Sequence, residues 1–146
     1  EKEKEVTPEA LLERLEKARS SDDFRELFDD LSRLILRIIN NSHANAGAKT
    51  RANLYMGQLS GWFYEILDAY EVDREYDIGF KLDLYDEMEH VLKKLIEAYA
   101  YLKKRRSVEK AIDAIFDAQL SAEETVEDHL DHLAEMIEDL SPRPYW

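Results

Sequence analysis

Apolar residues recur at spacings of three and four along most of this chain, the signature of helices that bury one face. The clearest run is Phe24, Leu27, Phe28, Leu31, Leu34, Ile35, Ile38 and Ile39. It predicts a helix that ends near Asn40-Asn41-Ser42, residues that compete for backbone hydrogen bonds. A third helix is expected to start at a Thr50 cap and to carry Leu54, Leu59, Trp62, Phe63, Ile66 and Tyr70 on one face. In a fourth, capped by Asp83, the series Leu84, Met88, Val91, Leu95, Ala98 and Leu102 is a heptad seam, widened by Tyr85, Leu92, Ile96 and Tyr99. Lys103-Lys104-Arg105-Arg106 then suits the negative pole of that helix.

Polar punctuation places the remaining boundaries. Thr7-Pro8 reads as an N-cap followed by proline at the first helical position, opening a short helix to about Arg19. Either serine of Ser20-Ser21-Asp22-Asp23 can cap the second helix. The Ala-rich stretch Ser42 to Lys49, with Gly47, reads as a loop, as does Glu71 to Leu82 with Gly79. Ser107 is the expected cap of a fifth helix bearing Ile112, Ile115 and Phe116. Ser121 to Glu124 has the form of a capping box and predicts a boundary before a sixth helix with Val126, Leu130, Leu133, Ile137 and Leu140. Ser141-Pro142-Arg143-Pro144 stops it.

No strand pattern and no internal repeat appear. The expected fold is all-α, an antiparallel helical bundle of four long core helices with two shorter accessory helices. The expected organisation is a polar arm over 1–6, one bundle domain over 7–140 and an aromatic tail over 141–146.

Composition narrows the chemistry. The 146 residues carry a net charge of −13 and no cysteine. Disulfides, thiolate metal sites and thiol nucleophiles are therefore excluded. Acidity disfavours nucleic acid and anionic membrane unless positive charge is locally concentrated, and it can steer a basic partner. No apolar run approaches the ~20 residues that span a bilayer. The start Glu1-Lys2-Glu3-Lys4-Glu5 is unlike a signal peptide, so a cytoplasmic location is the expectation. No Gly-rich phosphate loop occurs.

Four residue groups remain as candidate sites. Glu87 and His90 form a Glu-x-x-His pair on one helical face, and His129 and His132 lie near Asp128 and Glu135. Di-metal bundles use inward Glu and Glu-x-x-His pairs from facing helices. Here one such pair is present, with Glu65 and Asp68 as further ligands, and the plainer account sets these residues at the solvent boundary. The ligand set is incomplete, so neither a metal nor another cofactor is expected.

Arg37 and His43 have five residues between them. That spacing resembles the Arg-x(4–6)-His motif of HEPN-class helical ribonucleases. The resemblance implies an arginine that stabilises phosphate charge and a histidine that handles protons. It covers these two positions alone, and Ile38 stands where that class often has a polar residue. A solvated helix arginine beside a loop histidine is the plainer account.

Charge is polarised. Lys93, Lys94, Lys103, Lys104, Arg105 and Arg106 face Glu97 alone among nearby acids, whereas the segment after Ser107 is overwhelmingly acidic, including Asp128, Asp131 and Glu135. Internal neutralisation competes with a docking surface for a basic partner or with head-to-tail self-association. Finally, Trp62, Phe63 and Tyr64 are consecutive and cannot all face one core stripe, so at least one is expected at the surface or in an interface. Tyr70, Tyr76 and Phe80 crowd the following loop, and Tyr145 and Trp146 end the chain as a possible anchor.

The expected function is a non-enzymatic acidic helical protein-interaction module, such as an inhibitor or immunity-type protein or a small subunit of an assembly. Trp62, Phe63, Tyr64, Tyr145, Trp146, Asp128, Asp131 and Glu135 are its expected partner-binding residues. The expected partner is a protein, including a basic one, and a homo-oligomer or a subunit of a complex is the expected state. The alternatives are the HEPN-like ribonuclease using Arg37 and His43 and a metal-binding bundle.

Overall fold

The structure, a computed structural model, describes residues 6–72 and 78–140, with the side chains of 72, 78–80, 132, 133 and 136–140 left undescribed. Among the described residues it is all-helical, with five packed α-helices and no strand. These are α1 (Pro8–Lys17), α2 (Ser21–Asn40), α3 (Ala46–Val72), α4 (Ile78–Ala100) and α5 (Val108–Leu140). A π-helical turn over Tyr101–Arg105 extends α4.

Caps set the starts. The Thr7 hydroxyl accepts the Ala10 amide at 3.1 Å with Pro8 in the first turn, as expected. Ser20, of the two serines, caps α2 in a reciprocal box with Asp23. The backbone amides of Arg19 and Ser20 hold the Asp23 carboxyl below its ordinary pKa. Ser107 caps α5, accepting the Lys110 amide at 3.3 Å.

Three expected boundaries move. Helix α3 starts at Ala46 instead of Thr50, because the Asn45 side chain accepts the Ala48 amide at 2.8 Å and the alanines that follow favour helix. The Thr50 hydroxyl donates to the Ala46 carbonyl inside that helix. Helix α4 begins at Ile78, ahead of Asp83, so the expected loop from Glu71 to Leu82 is shorter at both ends.

The largest correction is at Ser121. The expected fifth and sixth helices are one helix, and the capping box does not form a boundary. The Ser121 hydroxyl donates to Glu87 Oε2 of α4 at 2.7 Å, and Ala118 and Ala122 are fully buried on either side of it. A hydroxyl spent on a neighbouring helix leaves no reason for α5 to stop.

The core draws on every helix, including Phe24, Phe28, Ile35, Leu59, Phe63, Met88, Leu95, Tyr99 and Ile115. Phe28 of α2 stacks on Phe63 of α3 with centroids 4.2 Å apart. Leu54 and Leu130, expected on apolar faces, are 53% and 58% exposed. In α3 the buried stripe runs instead through Ala48, Ala52, Met56, Leu59, Phe63 and Ile66.

Contacts fix the helix directions. Asn53 donates to Asn40, and Ser32 donates to the Met56 sulfur, so α2 and α3 run antiparallel. Arg51 pairs with Glu109 and Tyr55 packs on Phe116, so α3 and α5 run parallel. Ser121 on Glu87 makes α4 and α5 antiparallel. Tyr99 donates to the Val6 carbonyl at 2.6 Å and Lys104 pairs with Glu9, fastening the start of α1 to the end of α4. Tyr76, Tyr145 and Trp146 lie outside the described residues, as does the side chain of Phe80.

Candidate functional site

The parallel pair α3 and α5 leaves an open seam. Gly57, Gln58, Gly61, Trp62 and Glu65 of α3 face Gln119 and Glu123 of α5 across a groove of about 510 Å³. A Cβ placed on Gly57 or Gly61 would meet nothing within 4 Å, so these glycines are not needed for packing within the chain. Glycine inside a helix costs about 1 kcal/mol relative to alanine. Phe116 and Leu120 on the same side of α5 are 37% and 41% exposed. Further along, Leu130 flanks a second hollow with Glu65, Ile66, Asp68, Ala69 and His129. The seam therefore shows an apolar row, Phe116, Leu120 and Leu130, with half-buried Trp62 beside it.

Exposed carboxylates occupy the same stretches of α3 and α5. Glu65, Asp68, Glu124, Glu127, Asp128, Asp131 and Glu135 are exposed. Among the described residues none of these seven forms an ion pair. Cations elsewhere are partly neutralised, Lys104 by Glu9 and Lys94 by Glu97 at 3.7 Å.

The aromatic triplet divides three ways. Phe63 is fully buried on Phe28, which places it in the core and not on a docking surface. Trp62 is half-buried at the groove. The half-buried Tyr64 donates its hydroxyl to Asp29 of α2. Burial, then that hydrogen bond, push the Tyr64 hydroxyl from its ordinary value near 10 up to about 12. An acid whose folded pKa is raised contributes stability below its unfolded pKa and loses it as pH climbs through the folded one. This contribution is therefore present up to pH 10 and disappears towards pH 12. An NMR titration of ring-labelled tyrosine should show a midpoint near 12 for Tyr64. In Asp29→Asn the midpoint should fall while staying above the ordinary value, since burial persists. An unchanged midpoint in that variant would remove Asp29 from the account.

The histidine and carboxylate candidates do not share one cavity. Glu87 and His90 line a polar hollow with Asp83, Asp86 and Asp128. His129 is buried and lines the separate hollow with Glu65 and Asp68. The side chain of His132 is outside the described residues. Among the described residues, no group of three or more such ligands is placed to hold a metal ion.

His43 lies in a cavity of about 560 Å³ between the α2–α3 and α4–α5 connections. Lys103 and Arg106 line it as well. Arg37 does not line it, so the two residues that resemble the ribonuclease motif do not meet there. Sequence reasoning missed this cluster because its cations follow α4 whereas His43 follows α2.

No described helix is long and apolar enough to cross a membrane. The chain matches no family model, and comparison with curated proteins and with solved structures finds no match, so no relative supplies a function.

Proposed function

We propose that this protein is a non-enzymatic interaction module whose α3–α5 seam takes a basic amphipathic helix of a partner protein. The observation that carries the reading is the exposed apolar row Phe116, Leu120 and Leu130 on a stretch whose exposed carboxylates form no ion pair among the described residues. A helix laid along such a groove buries its apolar stripe there, and its lysines or arginines meet the acidic rim. Two copies of a chain with net charge −13 repel one another, which favours a basic partner over self-association on this face. An inhibitor or immunity-type protein and a small subunit of an assembly are the concrete forms of this function. Asp131 and Glu135 act as the steering rim and Trp62 as a contact residue, whereas Asp128 lies in the hollow on the α4 side of α5.

A synthetic leucine–lysine amphipathic helix and a scrambled peptide of equal composition provide the test. With Trp146→Phe as background, fluorescence reports Trp62 alone, because the chain has two tryptophans. The amphipathic peptide should give a saturable, salt-sensitive change, and the scrambled one should not. Leu120→Gln with Leu130→Gln should weaken binding about tenfold or more, since 1.4 kcal/mol is tenfold and a buried leucine is worth about that much. Equal binding of both peptides, or no loss in the double variant, would sink the proposal. A dimer in native mass spectrometry that the same substitutions dissociate would assign the face to a second copy instead.

A further inference from the structure

We infer that the cavity between the α2–α3 and α4–α5 connections binds a small ligand carrying a phosphomonoester. Among the described residues its lining contains His43, Lys103 and Arg106 and no carboxylate, in a chain where acids outnumber Lys and Arg by 33 to 20. Among the described residues, His43 and Arg106 make neither an ion pair nor a side-chain hydrogen bond, and both are exposed. The helix poles do not decide the sign of the field here. Helices α2 and α4 end where α3 and α5 begin, so two negative poles offset two positive ones. The side chains decide it, and Lys103 and Arg106 carry positive charge.

Backbone geometry is the second observation. Helix α4 ends in a π-helical turn, and the next residue, Arg106, takes the left-handed conformation at φ 51° and ψ 35°. Among the described residues it is the one non-glycine with positive φ. Glycine would end the helix there without strain, whereas arginine costs about 1–2 kcal/mol. π-turns and strained residues concentrate at functional sites. Arg106 also lines the cavity, and the planar fork of a guanidinium can grip two phosphate oxygens.

The rest of the lining sets the ligand class. Ile38, Leu102 and Val108 give the cavity an apolar side, and about 560 Å³ lies within the range of small-ligand pockets. A group with an apolar or aromatic body and one phosphate fits that division. A long polyanion would also meet the carboxylates outside the cavity, so a small ligand is favoured over nucleic acid.

The test follows the His43 ring by NMR in the full chain, with inorganic phosphate, adenosine monophosphate and adenosine as probes. The monophosphate should shift the ring saturably and more tightly than inorganic phosphate, and adenosine should leave it unmoved. Arg106→Asn should weaken the monophosphate at least tenfold while the fold is kept, because asparagine tolerates the left-handed conformation. Arg106→Gly removes the same charge with no strain and should weaken it equally. A non-saturable shift, or unchanged affinity in both variants, would overturn the inference. So would single-stranded RNA that binds through Arg106 while the monophosphate does not.

Discussion

Phe63→Ala should lower the unfolding free energy by about 3–5 kcal/mol, the range for emptying a buried phenylalanine site. The ring is fully buried and stacks on Phe28 at 4.2 Å with the planes 8° apart. Its loss opens a cavity on the seam between α2 and α3, and Phe28 keeps only the edge contact with Tyr64 from that group. Trp62→Ala removes a larger side chain, yet it should cost only about 1–2 kcal/mol, because one side of the indole already faces the groove. Urea unfolding of both variants measures the difference. A larger loss for Trp62→Ala would mean that α3 is rotated by a residue and that the seam is core.

That contrast shows where the sequence is informative. The stripe of α2 is legible because its residues repeat without competition, and Phe24, Leu27, Phe28, Leu31, Ile35 and Ile39 are all buried. Three consecutive aromatics carry no phase of their own. They show that one must leave the core, and only the neighbours α2 and α5 determine which. Leu54 and Leu130 fit a spacing of three and four yet face outwards, since periodicity marks the apolar positions without saying whether a helix waits opposite them. The cluster of His43, Lys103 and Arg106 was legible only as separate residues. No local pattern states that the turn after α2 meets the turn after α4. The helix boundaries that moved did so because one polar side chain can serve several ends, and sequence alone does not choose among them.

Ser121 is the sharpest case of such a choice, and proline substitution reads it out. If Ser121 capped a new helix, Ala122 would be its first residue and Ala122→Pro would be tolerated. In one continuous helix that proline removes a hydrogen bond and clashes with the preceding turn, costing about 3 kcal/mol or more. Ala122 is fully buried, so part of any loss comes from packing. Glu124→Pro separates the two effects, because the Glu124 side chain is exposed and would sit in the tolerant first turn of a capped helix. Both prolines should therefore be severely destabilising, and Ala122→Gly should cost about 1 kcal/mol from helix propensity. Urea unfolding with far-ultraviolet circular dichroism tests this. If Glu124→Pro left stability unchanged, α5 would be two helices, and the seam that carries Leu120 and Leu130 would be broken between them.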